Sequence, residues 1–211
     1  MKHIPRFHVL SQRTLLPLAT LIDLLEPLAA AGVEAFHLRE KDLPGGILLD
    51  LAQQCRQRLG GQAALFVNER LDVALLSQAD GVQLPEQGIP VAAARHLLGP
   101  HMLIGRSVHD VAGARHAEEA GADFLLFGNV YETTSKPGVT GRGLAALREV
   151  VAACHLPVIA IGGITPERVP EVLAVGAWGI AVISGVLAAS DPVAAARRYH
   201  QALNEGDGRA A

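Results

Sequence analysis

Three side chains that can carry positive charge alternate along the segment FHLREKD, residues 36–42. In an extended strand alternate residues share a face, so His37, Arg39 and Lys41 lie together on one side. The intervening positions 36, 38 and 40 suit packing against helices. Three converging cationic groups in a chain of formal net charge −3 predict an anionic ligand. An ion-pair network with a carboxylate such as Glu69 is the alternative, because Arg and Lys are rarely buried without a partner.

Two glycine-containing turns predict the site of a phosphate group. Gly162 and Gly163 occur in AIGGITPER, and Ser184 and Gly185 occur in AVISGVLAAS. Glycine lets the backbone approach a ligand closely, and free N–H groups at the start of a helix hold an anion. Both turns follow apolar, strand-like runs. Two ordinary tight turns are the alternative, but their occurrence together favours a phosphate monoester as the ligand group.

The turn after the strand-like run GADFLLFG begins with an amide, Asn129, at a place where an enzyme often carries an acid–base residue. An amide has no useful pKa near neutrality and cannot act as a general base. Either Asn129 orients a ligand in a binding protein, or proton transfer falls to His109, His37 or Glu69. Lys136 follows in a glycine-flanked stretch that is typical of a mobile loop closing over an anionic substrate. The other polar candidates at strand ends are Asn68, Gln83 and Ser107.

Eight short β-like runs alternate along the chain with alanine- and leucine-rich segments of helical periodicity. Strict alternation predicts right-handed crossovers and a parallel sheet, and eight units favour a closed barrel over an open sheet. We therefore expect an α/β protein, a single (β/α)8 TIM-barrel domain over residues 1–211, with a flexible C-terminal tail at about 204–211. The carboxyl ends of the strands meet at one end of such a barrel, where the candidate residues would converge.

Composition excludes several classes of function. The 211 residues are 50% hydrophobic, enough for one full core, and only 18% are charged, so no nucleic-acid-binding surface is expected. No apolar stretch reaches the roughly 18 residues of a membrane span, so no membrane association is expected. Two distant cysteines without metal-binding spacing, Cys55 and Cys154, are typical of a reduced protein, and a cytoplasmic location follows. The oligomeric state stays open, and a homo-oligomer is compatible with the sequence.

Six blocks of the sequence resemble the thiamine phosphate synthase superfamily, and the similarity covers nearly the whole chain. They read HLREKD, VNERLDVALLSQADGVQL, IGRSVH, FGNVYETTSKPG, PVIAIGGITPERV and GIAVISG. The resemblance implies one of two branches. A synthase joins a pyrimidine diphosphate to a thiazole phosphate and needs Mg²⁺. A thiazole tautomerase of the TenI type instead moves a proton on a thiazole carboxylate phosphate.

Two positions separate the branches. In the synthase pattern, approximately Asn-Asp-Arg and then His-Leu-Gly-Gln-x-Asp, the two aspartates bind the metal. This chain has Glu69 at the first aspartate and Gly88 at the second. Magnesium takes its protein charge from one or two carboxylates, so no cofactor is expected, and Mg²⁺ enters only if the synthase alternative holds. The blocks VQLP, GRSVH and FGNVYET look more like the tautomerase, in which a histidine occupies the position of Asn129.

The resemblance therefore favours an isomerase of thiamine biosynthesis, a thiazole tautomerase whose ligand is a small-molecule phosphate. Gly162, Gly163, Ser184 and Gly185 would hold the phosphate group. The candidate substrate-binding residues are Arg39, Lys41, Asn68, Ser107 and Lys136, and the candidate catalytic residues are His109, His37, Glu69 and Asn129. A divergent thiamine phosphate synthase and a non-catalytic regulatory protein that binds a thiazole or thiamine phosphate are the alternatives.

Overall fold

The predicted (β/α)8 barrel is confirmed by a computed structural model, which describes residues 2–133 and 138–206. The parallel strands are β1 (Phe7–Leu10), β2 (Ala35–Leu38), β3 (Ala64–Asn68), β4 (Gly81–Leu84), β5 (Leu103–Val108), β6 (Phe124–Gly128), β7 (Val158–Ile161) and β8 (Gly179–Val182). The helices are α1 (Leu18–Ala30), α2 (Gly45–Leu59), α3 (Leu71–Leu76), α4 (Val91–Leu98), α5 (Val111–Glu119), α6 (Gly143–Ala153), α7 (Val169–Ala174), α8 (Ser184–Leu187) and α9 (Pro192–Gly206), with a 3₁₀ turn at Pro166–Arg168. The strands neighbour one another in chain order, and β8 pairs with β1 to close the barrel.

Alternation within the strands divides the apolar residues between two layers. Phe36 and Leu38 on β2 belong to the core between the strands and the surrounding helices. Phe66 on β3 and Phe124 on β6 belong to a second core inside the barrel, where their ring centroids lie 5.3 Å apart. Burial of both faces removes apolar surface from water on each side of the sheet. The inner core fills the middle of the barrel, so a cavity can form only above it.

Acidic residues join neighbouring strands at the amino-terminal end of the barrel. Glu34, Asp80 and Asp123 stand immediately before β2, β4 and β6, and each carboxylate accepts a hydrogen bond from a backbone N–H in or next to the preceding strand. The donors are Arg6, Leu65 and Ile104, at 2.9, 2.8 and 2.8 Å respectively. Each bond therefore holds two adjacent strands in register where they begin.

Basic side chains neutralise two of these carboxylates. Arg56 on α2 lies 2.6 Å from Asp80, and Arg95 on α4 lies 2.5 Å from Asp123. Lys2 binds the second oxygen of Asp123 at 2.9 Å. The same arrangement of acid, backbone amide and arginine thus occurs twice, and it matches charge with charge at this end of the molecule.

The single tryptophan of the chain lies at the same end. The indole N–H of Trp178 donates to the carbonyl of Ile4 at 3.0 Å, and its backbone N–H donates to Val158 at 2.8 Å. The guanidinium of Arg6 lies 5.8 Å from the centre of the indole ring. Trp178 therefore fastens the segment before β1 to the start of β8, where the barrel closes.

The C-terminal helix α9 continues through Gly206, so the expected tail begins too early and residues 204–206 are helical. Its buried residues recur at helical spacing and give the helix one apolar face; they are Ala195, Ala196, Tyr199, Ala202 and Leu203. Residues 207–211 lie outside the described part of the chain. Among the described residues, no helix combines the length and the apolar character that crossing a bilayer requires.

Candidate active site

A cavity of about 740 Å³ opens at the carboxyl ends of the strands. Its floor includes Leu10 and Leu126, which belong to the inner core of the barrel. Eleven of the residues predicted from the sequence line it: Arg39, Lys41, Asn68, Gln83, Ser107, His109, Asn129, Gly162, Gly163, Ser184 and Gly185. A shallower depression of about 520 Å³ lies outside the barrel between α1 and α9. It is remote from the strand ends, so the first cavity is the candidate site.

Neither Arg39 nor Lys41 forms an ion pair within residues 2–133 and 138–206. The alternative of an ion-pair network with Glu69 therefore finds no support in these residues. Glu69 does not line the cavity; it has a φ of 67°, and its N–H donates to the carbonyl of Gln83 at 2.9 Å. Two cations consequently face the cavity without a protein anion, as an anionic ligand would require.

Glu40 does not follow the alternation expected for its segment. Strand β2 ends at Leu38, so side chains beyond it are no longer assigned to faces by the pleat. The buried Glu40 carboxylate accepts a hydrogen bond from Ser11 Oγ at 2.7 Å and lies 3.5 Å from Arg13. It lines the cavity with its charge already paired, so it contributes little free negative charge there.

The side chain of His37 points into the barrel but lies beneath the cavity. This depth argues against the expectation that His37 transfers a proton to or from a ligand. It is 2% exposed and stacks on Phe66, with ring centroids 4.8 Å apart. Its Nε2 lies 2.8 Å from Nδ1 of His8, whose own Nε2 lies 2.9 Å from the carbonyl of Pro5. The carbonyl accepts only, so each Nε2 carries the hydrogen and Nδ1 of His37 is left as a buried acceptor without a partner.

Burial holds both histidines in the neutral form. It lowers the pKa of His8 to about 4, and burial together with the neighbouring His8 lowers the pKa of His37 well below its usual value. A general acid–base group works best when its pKa is near neutrality. His37 is therefore an interior residue of the barrel, with neither the access nor the pKa of a proton shuttle.

The glycine turn after β7 is shaped by a close approach of two chain segments. Gly162 and Gly163 have φ values of 102° and 65°, a region that favours glycine. A Cβ on Gly163 would collide with the carbonyl oxygen of Glu132 in the connection that follows β6. No hydrogen bond from the N–H groups of Gly163, Ile164 or Thr165 occurs within the described residues. All three residues line the cavity, so these groups are free to meet an anion.

Two side chains that sequence reasoning missed hold the carbonyls of this turn. Arg168 donates to the carbonyl of Gly163 at 2.7 Å, and Tyr199 on α9 donates to the carbonyl of Ile164 at 2.9 Å. Arg168 follows the glycine pair closely in the sequence, which could have drawn attention to it. Tyr199 belongs to the last helix of the chain, and no local pattern links it to a turn that precedes it by more than thirty residues.

The amide of Asn129 braces its own loop. Asn129 is 5% exposed, and its Nδ2 donates to the carbonyls of Tyr131 at 3.2 Å and Val139 at 3.3 Å. The side chain therefore connects the two ends of a segment that includes Lys136, which lies outside the described residues. This contact supplies a structural reason for an amide at a position where the resemblance led us to look for an acid–base residue.

The strand ends between these regions contribute further polar groups. Gln83 is 2% exposed, and its Nε2 donates to Ser107 Oγ at 3.0 Å. His109 lies 3.7 Å from a carboxylate oxygen of Glu86, and its buried Nδ1 has no hydrogen-bond partner in the described part of the chain. Of the three candidate proton carriers, His109 alone lines the cavity.

The residues at the two expected metal-binding positions do not fit a two-carboxylate magnesium site. Glu69 lies outside the cavity lining, and Gly88 has no side chain. A Cβ on Gly88 would lie 2.8 Å from a ring carbon of Pro85, so the turn leaves no room for a carboxylate there. Among the described residues, no group of three or more His, Cys, Asp or Glu side chains is arranged to hold a metal ion.

Comparison with known proteins bears on the branch. Residues 8–186 match the family model described as thiamine monophosphate synthase. The chain is 46% identical over 191 residues to the thiamine-phosphate synthase of Methanoculleus marisnigri, covering 89% of this chain and 90% of that protein. It is 40% identical over 191 residues to the thiamine-phosphate synthase of Moorella thermoacetica, again with 89% and 90% covered. The solved structure of thiamine phosphate pyrophosphorylase from Pyrococcus furiosus superposes with a TM-score of 0.87 at 34% identity, covering 96% and 97% of the two chains.

These findings correct the expected branch. The relatives that cover nearly the whole chain are named as synthases, which are transferases, and the expectation of a tautomerase, an isomerase, is wrong. The two substituted aspartate positions are outweighed by the similarity of the rest of the chain. With its closed eight-stranded barrel and a match over residues 8–186, the chain belongs to the thiamine monophosphate synthase family.

Proposed function

We propose that this protein is a thiamine-phosphate synthase, which joins a pyrimidine diphosphate to a thiazole phosphate. The observation that carries the proposal is the identity of 40–46% to proteins of that name over 89–90% of both chains. The cavity supports it, because Arg39 and Lys41 form no ion pair, and the N–H groups of the turn after β7 no hydrogen bond, within residues 2–133 and 138–206. Two phosphorylated substrates need two such regions in one site.

Each region suits one substrate. Arg39 and Lys41 would neutralise the diphosphate, which carries the larger charge. The turns at Gly162–Gly163 and Ser184–Gly185 would hold the single phosphate of the thiazole through backbone N–H groups. Asn68 and Ser107 line the cavity between strand ends and would bind polar atoms of the rings. Lys136 remains a third candidate cation from the sequence.

The chemistry explains why the site lacks an acid–base residue at Asn129. Joining the rings forms a carbon–nitrogen bond and breaks the carbon–oxygen bond to the diphosphate. The thiazole nitrogen attacks with its own lone pair and carries no proton, so no base has to remove one. The charge that develops on the leaving diphosphate is the main quantity to stabilise, and fixed cations are suited to that. His109 would serve as a hydrogen-bond donor to the leaving group.

The test is direct synthesis. Purified protein would be incubated with both substrates over a range of Mg²⁺ concentrations, with formation of thiamine phosphate and release of diphosphate measured together. We expect equal amounts of the two products, and a sharply lower rate for Arg39→Gln. The control is Arg58→Gln, which removes an exposed arginine on α2 that pairs with Asp23. Binding of both substrates without product at any Mg²⁺ concentration would contradict the proposal and favour a non-catalytic protein.

A further inference from the structure

The hydroxyl of Tyr199 lies between the two turns that form the proposed phosphate site. Tyr199 is 2% exposed on α9, and its ring packs against Phe7 with centroids 5.8 Å apart. Its Oη donates to the carbonyl of Ile164 in the turn after β7. A Cβ on Gly185, in the turn after β8, would overlap the same oxygen. One hydroxyl therefore contacts both turns and fixes their separation.

The surroundings of Tyr199 keep its hydroxyl protonated, so that it acts as a hydrogen-bond donor. Burial raises the pKa of Tyr199 to about 12, and the nearby Glu167 carboxylate acts in the same direction. The phenol therefore keeps its hydrogen throughout the neutral range, and the carbonyl of Ile164 can only accept it. The bond has a fixed direction, from α9 to the turn.

The neighbouring carbonyl is held in a similar way. Arg168 donates to the carbonyl of Gly163, and its guanidinium lies 4.3 Å from the ring centre of Tyr131. Two consecutive carbonyls of the turn are thus tied to side chains. In a trans peptide the C=O and the following N–H point in opposite directions. Fixing the carbonyls of Gly163 and Ile164 therefore turns the N–H groups of Ile164 and Thr165 the other way.

These N–H groups have no partner among residues 2–133 and 138–206, and both residues line the cavity. We propose that Tyr199 is a positioning residue of the phosphate site: its hydroxyl orients the peptides of the β7 turn and spaces that turn from the β8 turn, with Arg168 assisting. The residue does not touch the ligand in this arrangement; it acts through backbone N–H groups. The inference rests on the proposed function only for the identity of the phosphate ester.

The experiment compares the two tyrosines of the chain. Tyr199→Phe removes the hydroxyl and keeps the ring on Phe7. Tyr131→Phe removes a hydroxyl that bonds the exposed Glu171 at 2.5 Å and keeps the ring beneath Arg168, so it is the matched control. Binding of inorganic phosphate, of the thiazole phosphate and of the unphosphorylated thiazole alcohol would be measured by calorimetry for each protein, with thermal unfolding as a check of the fold.

For Tyr199→Phe we expect about three- to tenfold weaker binding of inorganic phosphate and thiazole phosphate, as loss of one hydrogen bond implies. Binding of the thiazole alcohol should not change, and in the synthase assay KM for the thiazole phosphate should rise while kcat holds. Unchanged phosphate affinity, or an equal loss for the alcohol, would mean that Tyr199 only stabilises the fold. Failure of wild type to bind either phosphate would also overturn the inference, whereas phosphate binding that depends on Tyr199 without synthesis would leave it standing and reject only the proposed function.

Discussion

Polar groups at the amino-terminal end of the barrel are paired within the protein, whereas several at the carboxyl end have no partner among the described residues. At the amino-terminal end, Asp80 and Asp123 each bind a backbone amide and an arginine, so donors and acceptors are matched. At the carboxyl end, Arg39 and Lys41 have no ion pair in the described residues, and the turn after Gly162 presents free N–H groups. The same eight strands run between both ends, so the difference arises from the connecting segments at each end.

This difference implies that the amino-terminal end contributes mainly to the stability of the fold and the carboxyl end mainly to ligand binding. A buried donor or acceptor with a partner contributes to the stability of the fold, whereas one without a partner costs free energy until something binds it. At the amino-terminal end, the carboxylates of Asp80 and Asp123 already have partners within the described residues. At the carboxyl end, our proposal is that anions entering the cavity supply the missing partners. Substitutions at the two ends should therefore change different measurements.

The largest effect is expected from Gly163→Val at the carboxyl end. The new side chain would meet the carbonyl of Glu132 and displace the turn. We expect thiazole phosphate to bind roughly 100-fold more weakly, a loss of about 3 kcal/mol of binding free energy. Gly61→Val is the control, because Gly61 also has a positive φ, 86°, but open space around it. Both variants should unfold at a lower temperature in scanning calorimetry, but only Gly163→Val should bind thiazole phosphate more weakly. Equal affinity in the two variants would contradict the proposed role of the β7 turn.

The histidine pair beneath the cavity should make the fold sensitive to acid. The pKa of His8 is lowered to about 4 in the folded protein and is about 6.5 when unfolded, so the unfolded chain binds more protons between these values. Stability is therefore full above about pH 6.5 and falls as the pH drops. Each pKa unit is worth about 1.4 kcal/mol, so the loss by pH 4.5 should be about 2.5 kcal/mol for His8.

Urea unfolding followed by circular dichroism from pH 7 to 4.5 measures this slope. His8→Gln should flatten it, while His155→Gln should not, because the His155 side chain is 99% exposed. Parallel pH profiles for wild type and His8→Gln would show that the buried pair does not titrate in this window.

A smaller loss, about 1–2 kcal/mol of unfolding free energy, is expected from Asp123→Ala at the amino-terminal end, since the amide of Ile104 and the charge of Arg95 both lose their partner. KM for both substrates should not change. Asp23→Ala removes an exposed pair with Arg58 and should cost little. A marked rise in KM for Asp123→Ala would show that the two ends are coupled.

The smallest expected effect concerns metal binding at the carboxyl end. Gly88→Asp alone should gain little Mg²⁺ affinity, because its side chain would press against Pro85. Combined with Pro85→Gly, it restores two positions of the synthase pattern and should raise Mg²⁺ affinity several-fold in a calorimetric titration. Equal affinity of the single and double variants would show that Pro85 does not exclude the carboxylate.

Much of the fold was predictable, because strand and helix periods alternate and the glycine turns stand at fixed places in that alternation. The depth of His37 was not. A two-residue period predicts which face of the sheet a side chain lies on, but not its position along the barrel axis. That position depends on how the strands are staggered around the barrel. The bracing role of Asn129 and the contact of Tyr199 likewise depend on loops that pack from distant parts of the sequence.

The branch was not predictable from the sequence for a related reason. Glu69 and Gly88, each taken alone, look like lost metal ligands. A Cβ at position 88 would lie 2.8 Å from a ring carbon of Pro85, so the residue types at these two positions depend on each other. A single sequence does not reveal such a dependence.

The position of Trp178 has a practical consequence for spectroscopy. The indole lies at the amino-terminal end of the barrel, where it contacts Ile4 and Arg6. Both tyrosines, Tyr131 and Tyr199, lie at the carboxyl end beside the cavity. Selective excitation of the indole therefore reports whether the seam between β1 and β8 is intact and is blind to ligands. Tyrosine absorbance reports on the end that holds the cavity. The chain carries a separate optical probe for each end, without any label.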